Sequence, residues 1–372
     1  MAKKCVKRAV ELGGKVLFAF PTGQMQSRMR NDMDMDGVEI DTCHGAFLLH
    51  RPEQEVLPLL EEYTLVVVDE FPQLSKDDFG RIIRLWQAAG KLPALVLLGD
   101  FYQLPSISGT NAKDSPAWKH VYKVFLDKCW RSGDETLLHK LKAIRAHPPK
   151  KSMRFKILRG HKAWTHNGPP SSWEVKQLFR AYKKTTIVTC TRRAAGQVNK
   201  VAADVLTGQK PTLATIPADF DANPKNYDKH GKLLADRVPV PCQIAVKKGL
   251  RVHLTRNINK ESDFVNGMEA TVDAWDKRSQ CLRVTTKTRK ALAVFHYTDP
   301  QPEHKGAVFF PIRLGYASTI YKMQSAELPH VTIWLDRPGQ RAAAYVAMSR
   351  VRRDQDYKFG GVCKRKHFLP AL

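Results

Sequence analysis

The chain has 372 residues, a formal net charge of +25 and a pI near 9.8, and 43% of its residues are hydrophobic. This composition excludes a disordered chain and suits two globular domains. The excess of positive charge favours a polyanionic partner, of which nucleic acid is the usual kind.

The N-terminal sequence, the hydropathy pattern and the cysteine spacing indicate in which cellular compartment the protein is expected. No apolar run approaches the roughly 20 residues of a membrane span, and the basic N-terminus is not followed by the apolar stretch of a secretory signal. Seven scattered cysteines without a C-x-x-C pair argue against zinc sites and disulfides. We therefore expect an intracellular protein of the nucleus or cytoplasm, neither secreted nor bound to a membrane.

The first hundred residues alternate between helical and strand patterns. A helical apolar stripe ends at Gly13 and Gly14, and short apolar runs bounded by turn residues follow. Helices that alternate with buried strands are typical of a parallel, doubly wound sheet. The predicted elements are a helix over 2–12, strands over 15–20, 65–70 and 94–100, and a helix over 76–90.

The remainder of the chain predicts a second strand–helix series with an inserted β region. A strand and helix are expected over 185–199, an irregular loop or insertion over 207–248, and antiparallel strands over 249–257 and 266–297, where polar and apolar residues alternate. The expected divisions are a first domain over 1–145, a basic crossing segment over 146–184, and a second domain over 185–372 whose insert covers about 266–306.

Two carboxylates end the apolar run "VVVDE", at Asp69 and Glu70. A strand of this kind brings them to the carboxyl edge of a sheet, where open α/β folds bind their ligands. There an acidic pair can hold magnesium and orient an attacking water. A plain acidic strand end that begins a loop is an equally good reading of this stretch alone.

Other segments carry residues suited to the same chemistry. "LLGDFYQLP" is a second apolar run ending in an acid, with Gln103 close behind it. "KCWRSGDE" places Arg131 after an expected strand, and "YVAMSRVRR" places Arg350 after a short apolar helix. Between His139 and Ala163 there are nine Lys or Arg and no acid, which favours phosphate contacts over a merely solvated helix face.

In order and spacing these segments resemble the motifs of superfamily 1 helicases, specifically the Pif-like and RecD-like DNA helicases. "VVVDEFPQL" resembles motif II and "LLGDFYQLP" motif III, whose form is highly specific. "AFPTGQM" and "DTCHGAF" are similar to motif Ia and the Thr-x-His motif after it. "IVTCTRRAAGQVN", "ASTIYKMQSAEL" and "YVAMSRVRR" resemble motifs IV, V and VI.

The resemblance implies a fold and a function. The fold would be two RecA-like doubly wound α/β domains, with a small antiparallel SH3-like β insert in the second. The function would be that of an ATP-dependent DNA helicase, which translocates on single-stranded DNA and unwinds duplexes, with roles in DNA repair and recombination. The expected cofactors are Mg²⁺ and ATP; the partner is single-stranded DNA, with RNA as a weaker candidate.

The resemblance also implies roles for individual residues. Asp69 would hold magnesium, Glu70 would orient the hydrolytic water, and Gln103 would contact the γ-phosphate or that water. Arg131 and Arg350 would be arginine fingers that stabilise charge on the transferring phosphoryl group. Six residues would contact the nucleic-acid strand: Pro21, Thr22, His44, Thr191, Thr319 and Lys322. The structural alternatives are a core imidazole for His44, a helix cap for Thr319 and a surface ion pair for Arg350.

The chain departs from the family's pattern at its nucleotide-gripping loop. No G-x-x-x-x-G-K-[ST] stretch, which cradles phosphates with backbone N–H groups and its Lys, occurs in the sequence. We expect a truncated helicase whose P-loop strand would have paired with the strand over 94–100. Gln24 replaces a usual Lys or Arg, and Met323 and Ser325 depart from motif V. The alternative is a non-hydrolysing remnant that binds single-stranded nucleic acid.

Overall fold

The computed structural model describes residues 2–371, except 34, 91–92, 105, 107–109, 127, 147, 221–222, 227–233, 235, 325 and 338. Within this part of the chain, no helix combines the length and the apolar character needed to cross a membrane. The chain divides into two compact units, residues 1–131 with 370–372, and residues 132–369.

The first unit is a parallel sheet flanked by helices. Its strands are β1 Val16–Phe20, β2 Val38–Thr42, β3 Leu65–Asp69 and β4 Ala94–Leu98. Its helices are α1 Ala2–Glu11, α2 Gly23–Asp32, α3 Cys43–Ala46, α4 Glu53–Glu61 and α5 Lys76–Ala88. All the strand pairs are parallel, in the order β2-β1-β3-β4. The alternation expected from the sequence is confirmed.

The centre of this sheet is made by β1 and β3. All five residues of β1 and the first four of β3 are buried, because helices cover both faces and a strand buried on both faces needs a continuous apolar run. The helix α5 begins at Ser75, whose hydroxyl accepts from the Asp78 N–H at 3.0 Å. It then packs Phe79, Ile82 and Ile83 against the sheet at helical spacing.

At one side of the sheet lies β4, which pairs only with β3 among the described strands. Its sequence Ala94–Leu98 is wholly apolar, as in a central strand, yet Ala94 is exposed and the other residues are only half-buried. Edge strands are usually protected by charge or Pro, and β4 has neither. It is therefore an unprotected edge.

The second unit also contains a parallel sheet, in the order β16-β6-β17-β18-β5. Its helices are α6 Glu135–Ala146, α7 Lys151–Leu158, α8 Ser172–Ala181, α9 Arg192–Thr207 and α10 Ala343–Met348. The strands of this sheet are β5 Lys162–Trp164, β6 Thr185–Thr189, β16 Ala317–Thr319, β17 His330–Trp334 and β18 Tyr357–Gly360.

Between β6 and β16 the chain forms an antiparallel β region. Its five-stranded sheet has the order β12-β11-β10-β9-β15, and two hairpin-like pairs, β7 with β8 and β13 with β14, accompany it. The strands are β7 Ala214–Ala218, β8 Cys242–Val246, β9 Arg251–Leu254, β10 Glu269–Asp276, β11 Cys281–Thr286, β12 Ala291–Val294, β13 Tyr297–Thr298, β14 Val308–Phe309 and β15 Ile312–Leu314.

Three expectations about secondary structure need correction. The segment before Arg131 has no strand among its described residues, and Tyr122 and Phe125 are 91% and 90% exposed there. The region 207–248, expected to be an irregular loop or insertion, contains β7 and β8, because Ile216 and Ile244 face the core on paired strands. The antiparallel strand expected over 249–257 is present as β9, and because β9 and β15 belong to the same sheet, that sheet extends beyond the 266–306 expected for the insert.

Hydrogen bonds within the second unit explain why the boundary between the two units falls after Arg131. Ser132 Oγ donates to the Arg352 carbonyl at 2.6 Å, and the Asp354 N–H donates to Asp134 at 2.8 Å. Lys140, buried in α6, donates to both carboxylate oxygens of Asp354 at 2.8 and 2.7 Å. These bonds join residues 132–146 to the second unit, whereas the sequence placed the end of the first domain at 145. Lys140, which belongs to the acid-free stretch between His139 and Ala163, therefore stabilises the fold of the second unit.

A buried ion-pair cluster holds the antiparallel region together. Arg256 donates to Asp219 at 2.7 Å and to Asp299 at 2.8 Å, and its guanidinium carbon lies 4.8 Å from the centre of the Phe309 ring. The two carboxylates are 0% and 2% exposed. Because these residues follow three different strands, the arginine ties together segments far apart in sequence.

Replacing Arg256 by Ala is expected to lower the free energy of unfolding by about 3 kcal/mol or more, because two buried carboxylates lose their cation. The matched control is Arg283→Ala, which removes an Arg–Asp pair of the same 2.8 Å length from the surface and should change stability little. Urea denaturation followed by circular dichroism measures both. Equal losses in the two variants would contradict a special role for the buried cluster.

The unprotected edge of β4 is expected to make the purified chain self-associate through a second copy, because exposed apolar edges pair with other strands. Ala94→Lys should lower the associated fraction, since a charge on an edge strand opposes pairing. Gln87→Lys adds the same charge at an exposed position of α5 and should leave association unchanged. Light scattering that finds only monomer across a concentration series would refute this expectation.

Candidate functional site

The carboxyl edge of the first sheet gathers residues that are far apart in sequence. The parallel register places Phe20 beside Thr42, and Asp69 beside Leu98. Since all strands of this sheet run the same way, the loops that follow them meet at one edge. The candidate residues on these loops are Pro21, Thr22, His44, Asp69, Glu70 and Gln103.

Asp69 and Glu70 form a tight acidic turn at the end of β3. The Asp69 Oδ1 atom accepts from the Glu70 N–H at 2.9 Å, and Glu70 has a left-handed backbone with φ of 55°. Burial and, after it, the nearby Glu70 charge raise the pKa of the Asp69 carboxyl to about 6, although the Glu70 N–H and the Arg131 charge partly oppose this rise. Such a carboxylate gains by binding a cation.

The donor set at Asp69 fits magnesium better than a fully protein-coordinated metal. Among the described residues, no group of three or more His, Cys, Asp or Glu could hold a metal ion. Mg²⁺ is commonly held by one or two carboxylates, with phosphate oxygens and waters as its other ligands. The half-buried Asp69 and Glu70 suit that mode, in which most ligands come from a bound nucleotide.

Gly99 fixes the loop after β4 to the loop after β3. A Cβ atom at position 99 would lie 2.1 Å from Pro72 Cδ, so no side chain fits there. Beyond this contact, the Gln103 N–H donates to the Asp100 carbonyl at 3.1 Å, in a turn that keeps Gln103 close to the end of β4. The sequence placed Gln103 at the strand tip; the structure puts it in this turn.

Pro21, Thr22 and His44 lie on the loops after β1 and β2. Thr22 is exposed and precedes α2 without a side-chain bond to the helix. His44 is also exposed, which excludes the alternative of a core imidazole. It stands on the short α3, whose first turn is fixed by Thr42 accepting from the Gly45 N–H at 3.1 Å. The side chain of Gln24 lies outside the described residues.

Thr191, Thr319 and Lys322 form a corresponding group at the carboxyl edge of the second sheet. Thr319 is beside Thr189 in the parallel ladder of β16 and β6, and Thr191 begins α9 two residues later. Thr319 precedes a 3₁₀ turn that contains Lys322, but its side chain makes no cap bond there. Met323 and Gln324 are buried, and Ser325 lies outside the described residues.

Two positioning residues of this edge were missed in the sequence analysis. Asp336 accepts from the Thr191 hydroxyl and from the Cys190 N–H, the latter at 2.7 Å. Asn199, buried on α9, accepts from the N–H groups of Tyr316 and Ala317 and donates to the Ala317 carbonyl at 3.0 Å. The signal for Asp336 was present, because "VTIWLD" ends in an acid just as "VVVDE" does.

Arg350 does not join that edge. It follows α10, and its carbonyl accepts from the Leu328 N–H, so it lies near the start of β17. Its side chain is 1% exposed, with Nε donating to the Val346 carbonyl at 2.8 Å and Nη2 to Ser349 Oγ at 2.7 Å. The alternative of a surface ion pair is therefore excluded. Arg131, in contrast, is exposed.

The chain is similar to a family of known domains and to several curated helicases. Residues 1–166 match the model of a family described as an AAA domain. The ATP-dependent DNA helicase PIF1 of Homo sapiens is 24% identical over 305 residues, which cover 77% of this chain and 44% of the human protein. The ATP-dependent DNA helicase Pif1 of Bdellovibrio bacteriovorus is 23% identical over 322 residues, covering 81% of this chain and 66% of that protein. The chain thus spans less than half the length of the human relative.

Solved structures show the same fold. A Bacteroides Pif1 helicase in complex with ADP-AlF3 and single-stranded DNA superposes with a TM-score of 0.67 at 16% identity, over 96% of this chain and 85% of that one. The Pif1 helicase of Candida albicans gives a TM-score of 0.65 at 16% identity, over 99% and 95% of the two chains. Both units thus have the RecA-like architecture of these structures, and the chain is similar in sequence to Pif1-type DNA helicases over about three quarters of its length.

Proposed function

We propose that this chain binds single-stranded DNA along the carboxyl edges of its two parallel sheets and works as the motor region of an ATP-dependent DNA helicase. The observation that carries the proposal is the collection of Pro21, Thr22 and His44 at one edge and of Thr191, Thr319 and Lys322 at the other. Hydroxyl, imidazole and ammonium groups that are exposed or half-buried on such loops suit contacts with phosphates and bases. The net charge of +25 supports a polyanionic partner.

The nucleotide chemistry would centre on the acidic turn. Asp69 would hold Mg²⁺ together with phosphate oxygens, and Glu70 would orient the attacking water. Gln103 would contact the γ-phosphate or that water, because its turn is fixed next to the acidic loop through Gly99 and Pro72. Arg131 and Arg350 would stabilise the charge that develops on the phosphoryl group. The bonds of Arg350 Nε to Val346 and of Nη2 to Ser349 would hold its guanidinium in place.

The same residues also allow a second function. The sequence contains no P-loop, the segment that would cradle the β- and γ-phosphates with its backbone N–H groups. A protein with this content would bind single-stranded nucleic acid without hydrolysing ATP. The presence of Asp69, Glu70 and Gln103 supports the catalytic function, because a site that no longer hydrolyses ATP is expected to lose some of these residues.

Binding to single-stranded DNA is expected to weaken steeply as salt increases, because neutralised phosphates release their counterions. His44→Ala should weaken binding by roughly fivefold, about 1 kcal/mol, if the imidazole stacks on a base. His50→Ala removes another exposed histidine of the first unit and serves as the control. Fluorescence anisotropy with a labelled oligonucleotide measures affinity across a salt series. Affinity that does not change with salt would refute phosphate-driven binding.

Residues 1–372 alone are expected to show no DNA-stimulated release of phosphate from ATP. Even one well-placed electrostatic donor is worth on the order of 3 kcal/mol in phosphoryl transfer, and the whole cradle is missing. Fusion of the strand and P-loop of a Pif1-type relative ahead of Met1 should restore part of the activity.

In that fusion, Glu70→Gln should abolish turnover and leave ATP binding intact, because it removes only the group that orients the water. Glu62→Gln changes an exposed carboxylate on the opposite side of the sheet, paired with Lys15, and should leave turnover unchanged. Robust hydrolysis by the unfused chain would show that phosphates are gripped by other residues. Turnover that survives Glu70→Gln would remove the acidic turn from the mechanism.

A further inference from the structure

A cavity of about 280 Å³ lies in the second unit, at the edge opposite to Thr191 and Thr319. It is lined by Phe179, Lys183, Leu206, Thr207, Lys210, Gly249, Arg251, Thr271 and Tyr316. Lys183 precedes the start of β6 and Tyr316 precedes the start of β16, so the cavity is at the amino ends of these parallel strands. The five residues of β6 separate it from the candidate DNA edge by about 13 Å.

The charged residues around the cavity are mostly cations. Lys183, Lys210 and Arg251 line it, Lys247 and Lys248 precede its Gly249, and no acid is among the lining residues. The acid that approaches this group is Glu269, whose Oε1 lies 3.7 Å from Arg251 Nε, beyond hydrogen-bond length. The local charge is therefore positive, and a bound anion would balance it.

Arg251 is held rigidly in the wall of the cavity. Its Nη1 atom donates to the Thr185 carbonyl at 2.9 Å and its Nη2 atom to the Lys183 carbonyl at 3.2 Å. The guanidinium carbon also lies 5.8 Å from the Phe179 ring centre and 5.5 Å from the Tyr316 ring centre. A guanidinium fixed in this way meets an anion without losing side-chain freedom.

Lys210 is placed by a glycine. Its Nζ atom donates to the Lys248 carbonyl at 3.0 Å, and a Cβ at position 249 would lie 2.9 Å from that Nζ. Gly249 has a φ of +81°, so its backbone and its lack of a side chain both leave room for the ammonium group. The lysine, the arginine and the exposed hydroxyl-bearing Thr271 thus line the same small space.

We propose that this cavity is a binding site for a phosphate group, separate from the candidate DNA edge and independent of the proposed function. Lys183, Lys210 and Arg251 supply charge-assisted donors, and Thr271 supplies a hydroxyl. The volume is at the lower limit of ligand pockets, which suits a single phosphate group better than a whole nucleotide. The group is either a free phosphate or one phosphate of a nucleic-acid strand.

The test is calorimetric titration of the whole chain with inorganic phosphate at low ionic strength, where exposed charges are least screened. We expect saturable binding, weakened about tenfold in the double variant Lys183→Gln, Lys210→Gln, since two charge contacts of this kind together contribute about 1.4 kcal/mol. Glutamine removes the charge at both positions and keeps a polar, hydrogen-bonding side chain there. The control is Lys277→Gln, an exposed lysine beyond the far end of β10.

Two further arms distinguish the source of the phosphate. If the site takes a strand phosphate, a single-stranded oligonucleotide displaces inorganic phosphate, and the double variant loses that competition. If the site takes free phosphate, the oligonucleotide leaves phosphate binding unchanged. Absence of saturable phosphate binding, or an equal loss in the Lys277→Gln control, would overturn the proposal. Melting temperatures of all variants confirm that each compared protein is folded.

Discussion

The parallel register of the two sheets is the constraint on which the rest of the structure depends. In each sheet every strand runs in the same direction, so each loop that follows a strand emerges at the same edge. That single fact brings Asp69 next to the loop of Gln103, and Thr319 next to Thr191, although these residues are far apart in sequence. The opposite edge of the second sheet, at the amino ends of its strands, holds the cation-lined cavity.

Burial on both faces explains why these strands could be read from the sequence. The runs "VLFAF", "LVVVD" and "TTIVT" are continuous because helices cover both sides, and each ends at a polar or turn residue that marks the edge. The same logic found Asp69 and Glu70, since carboxylates directly after a buried strand stand out. It should also have found Asp336, which follows β17 in the same way.

Other features of the structure could not be predicted from the local sequence. The segment before Arg131 has the β-branched and aromatic residues of a strand, but a strand forms only where a neighbour offers backbone partners, and sequence pattern does not contain that information. For Arg350 the sequence left a surface ion pair open as an alternative to a role at phosphate, and only the burial of its guanidinium and its bonds to its own helix end exclude that alternative. Asn199 is a single amide in a helix, and only the three-dimensional contact with β16 reveals its role.

The contact between Gly99 and Pro72 joins the loop after β3 to the loop after β4, so that the two loops move together. Since Pro72 follows Glu70 by two residues and Gly99 precedes Gln103 by four, a displacement at either loop is passed to the other through direct contact. A shift of the loop that holds Gln103 would thus reach the carboxylate pair without any change in the sheet. Gly99, the smallest residue in the loop after β4, is therefore the residue through which a movement of this loop reaches the loop after β3.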